Sequence, residues 1–237
     1  IKEIIEMYPE DFIIPISSNE KFSILKDIKQ KGQYHIIASA GEIDMTKYKS
    51  KFNNIGLGTR VITGAQIQRY YITDTPSQGN VIYINDQNKP GLSSKREQEV
   101  SNPRIVLQRI TGVDSKVRII STLINGHMYC ANSTNYIAND NSINIKYLLG
   151  VLNSSLVNFF IKQTSTNTNI TAKVLNSIPI IFPSTKMQEA IIRIVDYVLI
   201  IKSLPSDIII DQYVDNDVMA RQFENVIDAL IYELYFS

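Results

Sequence analysis

The sequence predicts an α+β fold, in which a small, mixed, sheet-rich body with a packed amphipathic helix is followed by C-terminal helices. Short β-branched and aromatic runs, separated by turn residues, occupy the first half of the chain. From residue 144 onward the apolar residues recur every three or four positions, which is the helical period. We therefore place an N-terminal helical or linker segment at 1–32, the body at 33–185 and a C-terminal helical segment at 186–237.

The elements of the body follow from these patterns in order. A short helix is predicted at 20–31, where apolar residues are spaced by three among lysines. Six segments have strand composition: 33–39, 60–73, 80–85, 104–111, 117–124 and 127–131. The pair Asn125–Gly126 favours a tight hairpin turn between the last two strands. The polar stretch 86–102 is predicted to be a loop.

The helical part begins with an amphipathic helix predicted at 144–162. A polar run, 164–171, separates it from a short extended segment that contains two prolines. Thr185 and Gln188 have the spacing of a capping box, which predicts the start of the next helix. The final helix is predicted at about 217–235.

The composition is that of a globular protein from a reducing compartment. The chain has 237 residues, of which 44% are hydrophobic and 20% charged. The single cysteine, Cys130, cannot form an internal disulfide, and no apolar run reaches the length of a membrane span. We therefore expect a cytoplasmic protein without a membrane partner. Because the chain lacks an initiator methionine, we also expect it to be part of a longer polypeptide.

Charge is unevenly distributed along the chain. Residues 1–188 hold 21 Lys/Arg and 14 Asp/Glu, whereas residues 189–237 hold 3 Lys/Arg and 9 Asp/Glu. A basic body with an acidic tail is compatible with a surface that faces phosphates. Domains without a role in nucleic-acid binding show the same asymmetry, so charge alone leaves both interpretations open.

The residues needed for most kinds of catalysis are missing. His127 and Cys130 have a metal-like spacing, but no second pair exists to complete four ligands, and His35 is the only other histidine. No phosphate-binding Gly-Lys-Ser/Thr loop occurs, and no Asn-Pro-Pro-aromatic motif for a flipped adenine. We therefore predict no catalytic, cofactor-binding or metal site. The alternative is a small hydrolase whose scattered carboxylates meet in space.

One short segment concentrates side chains that read bases. Gln66, Gln68, Arg69 and Tyr70 fall within five positions, and on a strand the two glutamines and the tyrosine share one face. Amides form paired hydrogen bonds with adenine, and arginine bonds guanine or phosphate. The alternative interpretation is an exposed strand whose polar side chains are simply solvated.

Two further regions suggest a track for phosphates and bases. Residues 93–118 contain six basic and three acidic side chains, and the polar run 164–171 is bordered by lysines. A charged surface loop and a disordered connector are the alternatives. The full candidate set for DNA contact is Arg60, Gln66, Gln68, Arg69, Tyr70, Lys95, Arg96, Arg104, Gln108, Arg109, Lys116, Arg118, Lys162, Ser165, Asn167, Asn169, Thr171 and Lys173.

Several motifs occur in the order found in one family. They are GEIDMTKY at 41–48, RVITGAQIQRY at 60–70, PRIVLQRI at 103–110, ANSTNYI at 131–137, YLLGVLNSSL at 147–156, LNSIPI at 175–180 and IDALIYELY at 227–235. Together they resemble the target-recognition domains of type IIG restriction-modification enzymes, with the TaqI-like C-terminal specificity domain. Specificity subunits of type I systems share the LNS and IPIP portion and are the near relative. Phe182 before Pro183 is a small departure from the pattern.

The resemblance implies sequence-specific recognition of double-stranded DNA. It also implies a parent enzyme that methylates adenine with S-adenosylmethionine, possibly fused to an endonuclease, whose methyltransferase domain would lie N-terminal on the same polypeptide. No cofactor is expected in this chain itself. Base contacts vary within the family, so the resemblance assigns no individual residue. An alternative of another class is a protein-interaction module that docks through its C-terminal helices.

Overall fold

The computed structural model describes residues 18–237 apart from residues 90, 114 and 206, and it confirms the α+β class. The first 17 residues of the predicted N-terminal segment lie outside the described residues. The helices are α1 (Asn19–Lys31), α2 (Ser94–Ser101), α3 (Ile145–Asn153), α4 (Ser155–Thr164), α5 (Ala172–Asn176), α6 (Thr185–Ser203) and α7 (Asn216–Phe236). In the part of the chain described here, none of these has the length and apolar content needed to cross a membrane.

The strands form two four-stranded sheets and a small ribbon. They are β1 (Ala38–Ala40), β2 (Phe52–Asn53), β3 (Thr59–Ile62), β4 (Ile67–Gln68), β5 (Tyr71–Ile72), β6 (Ile82–Ile84), β7 (Arg104–Gln108), β8 (Ser121–Ile124), β9 (Tyr129–Cys130) and β10 (Thr134–Ala138). The first sheet is antiparallel with the order β1-β10-β7-β8. The second has the order β2-β6-β3-β9, with β3 and β9 parallel. Strands β4 and β5 pair with each other.

Strand β7 lies at the centre of the fold, and its sequence reflects this position. Side chains alternate between the two faces of a strand. Val106 packs in a cluster with Ile62 and Cys130 of the second sheet, whereas Ile105 and Leu107 pack into the helical side of the molecule. Because both faces are covered, the middle of β7, residues 105–107, is continuously apolar rather than alternating.

A large apolar cluster joins the first sheet to the helices. It includes Leu25 of α1, Leu107 of β7, Leu149 of α3, Val195 of α6 and Ile227 of α7. Residues of all three segments predicted from the sequence therefore contribute to one core. A smaller cluster, around Val61 and Val100, covers the outer face of the second sheet.

A buried ion pair joins the two sheets. Arg104 of β7 and Glu42 are both fully buried, and the Arg104 guanidinium bonds the Glu42 carboxylate. The other Glu42 oxygen accepts the backbone N–H of Cys130 at 2.7 Å, and Arg104 also donates to the Met128 carbonyl at 2.6 Å. Gly41 permits this arrangement, since an added Cβ would lie 2.0 Å from the Ala131 carbonyl oxygen. Burial raises the pKa of the Cys130 thiol to about 12.

Two strand predictions were wrong in their details. Segment 60–73 is not one strand, because Thr63 and Gln66 form a reciprocal capping box that turns the chain through a 3₁₀ turn at Gly64–Gln66. The hairpin predicted at Asn125–Gly126 does not form. The strands on either side belong to different sheets, so this segment is a crossover between sheets.

Three helical features also differ from the predictions. The stretch 86–102 contains helix α2, capped by Ser93, rather than only a loop. The single helix predicted at 144–162 is broken at Ser154, which has extended backbone and caps both α3 and α4. Its hydroxyl donates to the Val151 carbonyl and accepts the Val157 N–H. Helix α6 begins at Thr185, one residue earlier than the predicted capping box implies, because Ser184 and not Thr185 is its N-cap.

We expect Arg104→Met to lower the free energy of unfolding by about 3–5 kcal/mol, because it leaves the Glu42 carboxylate buried without its charged partner. Urea denaturation measures this loss. Replacing both partners by apolar residues should recover much of it.

Lys95→Ala is the matched control for this prediction. Lys95 is 81% exposed and lies 3.9 Å from Glu99, so its removal should cost less than about 0.5 kcal/mol. Equal losses in Arg104→Met and Lys95→Ala would contradict a structural role for the buried pair.

Candidate nucleic-acid interface

The polar run 164–171 pairs with the chain that continues from β7. Ile110 and Asn169 form an antiparallel bridge. On either side of it, the Ile170 N–H donates to the Arg109 carbonyl at 2.7 Å and the Thr111 N–H donates to the Thr168 carbonyl at 3.0 Å. The run is therefore held against 109–111 by one bridge and its two flanking hydrogen bonds. We call residues 109–113, 115–118 and 162–171 the polar edge.

Arg118 fixes this edge from beneath. Its guanidinium is fully buried and donates to Thr111 Oγ1 at 3.2 Å, to the Ser165 carbonyl at 3.3 Å and to the Asn167 carbonyl at 2.5 Å. Desolvation by burial lowers the pKa of Arg118, but an arginine remains charged at neutral pH. The bonds to Ser165 and Asn167 hold the loop in one conformation.

Side chains from α4 and β10 complete the support. The Asn158 side-chain oxygen accepts the backbone N–H groups of Arg118 at 2.6 Å and of Ile119 at 3.0 Å. Asn135 of β10 donates its amide to the Ile170 carbonyl at 2.6 Å. Arg109 donates to the Asn132 carbonyl at 3.1 Å. The backbone of the polar edge is thus tied to the interior on both of its strands.

The outer surface of the polar edge offers both polar and charged groups. Lys116, Lys162 and Asn167 are exposed, and Arg109 and Asn169 are half-buried. Seven of the residues predicted to contact DNA lie on this edge in addition to Arg118: Arg109, Lys116, Lys162, Ser165, Asn167, Asn169 and Thr171. Ser165 is buried and takes part through its carbonyl.

Other predicted residues lie elsewhere. Lys95 and Arg96 are on α2, which precedes the start of β7, whereas the polar edge follows its end. Lys173 is on α5, and Arg60 pairs with Asp74 at 2.7 Å. The predicted basic track from 93 to 118 is therefore interrupted, because strand β7 separates its two ends.

Besides Ser165, four of the residues predicted to contact DNA have buried side chains. Arg104 and Arg118 are fully buried in the bonds described above. Gln66 is fully buried as the capping residue of its turn, and its side-chain oxygen accepts the Thr63 N–H at 3.0 Å. Tyr70 is 2% exposed, and burial raises its pKa. A side chain without exposed surface cannot contact a duplex in this conformation.

The segment around Arg69 joins the body to the last helix. Arg69 bonds the Glu224 carboxylate of α7 and donates to the Asn153 carbonyl at 2.6 Å. Gln108 donates its amide to the Ile67 carbonyl at 2.7 Å. Tyr70 has a left-handed φ of 68°, so the strand face predicted for Gln66, Gln68 and Tyr70 does not form.

A concave surface lies between the body and α6. This cleft has a volume of about 1000 Å³ and is lined by both parts. Its cations are already paired, since Arg60 contacts Asp74, Lys146 contacts Asp196 at 2.6 Å and Lys202 contacts Asp217 at 2.7 Å. The cleft is therefore a weaker candidate than the polar edge for binding phosphates.

Two features of this region, the support by Asn158 and the exposure of Ile110, were not predicted from the sequence. Asn158 supports the loop but reads in the sequence as one polar position of a helix. Ile110 is 63% exposed, although its apolar character in a strand predicts burial. No pattern in the sequence distinguishes either one. Among the described residues, no three His, Cys, Asp or Glu side chains converge as a metal site would require.

Comparison with solved structures identifies a protein with a similar fold. The fold is similar to that of the type IIL restriction-modification enzyme MmeI, solved in complex with DNA, with a TM-score of 0.57 and 12% identity over 86% of this chain. The match covers 33% of MmeI, so this chain spans about a third of that enzyme's length. At this identity the likeness shows a shared fold.

The family follows from the sequence. The model of the TaqI-like C-terminal specificity domain matches residues 59–180, so the chain belongs to this family. This match confirms the resemblance predicted from the sequence. Two further structures are also similar. The HsdS subunit from Thermoanaerobacter tengcongensis has 13% identity and a TM-score of 0.43 over 91% of this chain and 50% of its own. The type IIG restriction endonuclease BpuSI has 10% identity and a TM-score of 0.45 over 91% of this chain and 33% of its own. The chain matches no curated protein sequence.

The role of Arg118 can be tested by Arg118→Met, which keeps an unbranched apolar stem but removes the guanidinium donors. We expect backbone amides of 165–171 to exchange hydrogen at least about tenfold faster, since the loss of one or two net hydrogen bonds changes a local equilibrium by that factor. Mass-spectrometric hydrogen exchange measures this change. Lys162→Ala, on the same edge but exposed, is the control and should leave the exchange unchanged. Unaltered exchange in Arg118→Met would contradict the anchoring role.

Proposed function

We propose that the chain reads the base sequence of duplex DNA for an adenine methyltransferase of a restriction-modification system, through the polar edge. The observation that carries the proposal is the ordered two-stranded arrangement at 109–111 and 168–170, with exposed polar side chains. The major groove of B-DNA is about 12 Å wide and admits a two-stranded ribbon. Membership of a specificity-domain family supports the same conclusion.

Different side chains of this edge are suited to contact phosphates and bases. Lys116 and Lys162 are exposed cations and are suited to phosphates, which position a protein without reading sequence. Asn167, Asn169 and Arg109 carry the amide and guanidinium donors that read base edges. Because Arg118 fixes the backbone, these groups are held in place before DNA arrives, which lowers the entropic cost of binding.

We assign the chemistry to a different part of the system. We infer that a methyltransferase domain, on the same polypeptide as in type IIG enzymes, binds S-adenosylmethionine and transfers the methyl group. An enzyme that acts on a base must swing it out of the stack. The specificity domain then holds the duplex in register while its partner receives the adenine. An associated endonuclease and a type I specificity subunit are variants of the same proposal.

The other candidate from the sequence, a protein-interaction module, is favoured by one observation. Between α6 and α7, Ile209 is 68% exposed and Tyr213 86% exposed. Such exposed apolar groups are typical of protein contacts. Binding to a protein partner that is insensitive to salt, without binding to DNA, would favour this function over recognition.

The proposal predicts binding to duplex DNA that weakens as salt increases. Each lost phosphate contact should reduce the slope of log K against log salt by about 0.9, so the fall in affinity between 50 and 200 mM salt becomes about threefold smaller. We expect Lys116→Ala and Lys162→Ala each to produce this change, for all sequences alike. Fluorescence anisotropy with a labelled duplex, over a series of salt concentrations, measures it.

Lys186→Ala is the control, because Lys186 is exposed at the start of α6 and lies outside the polar edge. It should leave the slope unchanged. The absence of salt-dependent binding by the wild-type chain, or equal effects of all three substitutions, would refute the assignment.

A further inference from the structure

Two side chains of opposite character lie together on the polar edge. Ile110 and Asn169 are directly opposite each other in an antiparallel bridge. Residues paired in this way point to the same face, with Cβ atoms about 4.5–5.5 Å apart. An apolar group and an amide are therefore presented side by side.

Both side chains are available to a ligand. Ile110 is 63% exposed, and Asn169 is half-buried. Within the described residues, the Asn169 side-chain amide forms no hydrogen bond, whereas its backbone N–H is held by Asn167 Oδ1 at 3.1 Å. The Asn169 amide and the exposed Ile110 side chain are therefore free to contact a ligand.

The backbone beneath this pair is fixed. Hydrogen bonds of 2.7 Å and 3.0 Å flank the bridge, at Ile170 and Thr111. Arg118 holds Thr111 on one strand and the Asn167 carbonyl on the other. The relative position of Ile110 and Asn169 is consequently set before any ligand binds.

One base pair matches this combination in the major groove. Adenine presents an acceptor at N7 and a donor at N6, which an asparagine amide bonds in a bidentate manner, and the paired thymine presents a methyl group suited to an apolar contact. A G·C pair offers two acceptors on guanine and no methyl group. We propose that Asn169 and Ile110 together read a single A·T base pair, Asn169 through the adenine and Ile110 through the thymine methyl. This inference rests on the proposed function and names the base pair that part of the polar edge reads.

The first experiment selects duplexes from a random DNA library with the wild-type chain at low salt, and with Ile110→Ala and Asn169→Ala. We expect a consensus with an A·T pair at which both variants lose preference. The loss should be about fourfold for Ile110→Ala, the value of one buried methyl group. It should be about 5- to 150-fold for Asn169→Ala, the range for a bidentate contact.

Matched controls come from residues of the same type outside the polar edge. Ile37→Ala removes an isoleucine that is 68% exposed, and Asn54→Ala removes an exposed asparagine. Both should leave the consensus unchanged. A loss of preference in these controls equal to that of the test variants would overturn the assignment.

The second experiment changes the DNA instead of the protein. Replacing thymine by deoxyuridine at the identified position removes only the methyl group, and 7-deazaadenine removes only the N7 acceptor. Wild type should lose affinity with each analogue. Ile110→Ala should be insensitive to deoxyuridine and Asn169→Ala to 7-deazaadenine, because the partner of the altered group is already gone.

The outcomes separate this inference from the proposed function. If the wild-type chain enriches no duplex, the proposed function itself fails. If it enriches a consensus but the two variants act at different positions, or at a G·C pair, recognition stands and the shared reading of one A·T pair is wrong. Sensitivity of Ile110→Ala to deoxyuridine equal to that of wild type would also overturn it.

Discussion

The guanidinium of Arg118 lies inside the protein, and the shape of the polar edge depends on it. Removing a cation from water is costly unless fixed acceptors replace the solvent. Here the acceptors include Thr111 Oγ1 and the carbonyls of Ser165 and Asn167, which belong to the two strands that the edge comprises. Satisfying the buried donors therefore requires the loop to be in place. The polar run has little intrinsic preference for structure. It is held in place because its Ser165 and Asn167 carbonyls accept hydrogen bonds from the buried Arg118 guanidinium.

The cost of burying a cation also explains why the basic residues of the body play different roles. Arg104 and Arg118 stabilise the interior through fork-like donors, for which arginine is better suited than lysine. Lys116 and Lys162 remain at the surface, where a compact, hydrated charge meets a phosphate. Arg69 joins the body to α7 through Glu224. Part of the positive charge seen in the sequence is therefore buried in the fold, and Lys116 and Lys162 are two of the cations that stay exposed.

Local periodicity predicted much of the architecture, including the α+β class, helix α1 and the starts of α6 and α7. Features set by distant contacts were not predictable. Asn125–Gly126 has the composition of a hairpin turn but crosses between sheets, since strand pairing is decided by the packing of whole faces. The composition of the polar run predicts an exposed polar loop, but its support by Arg118 comes from 47 positions earlier in the sequence. Exposure of Ile110 likewise depends on a tertiary surface, and hydrophobicity alone predicts the opposite.

The central claim is that the polar edge, and not another surface, meets the DNA. Hydrogen exchange of the chain with and without a duplex at low salt tests it most directly, since bound DNA slows exchange at the contacted backbone. We expect added protection at 109–113 and 165–171, with α2 and the lining of the cleft between the body and α6 unchanged. Protection confined to α2 or the cleft, with the polar edge exchanging as it does in the free chain, would contradict it.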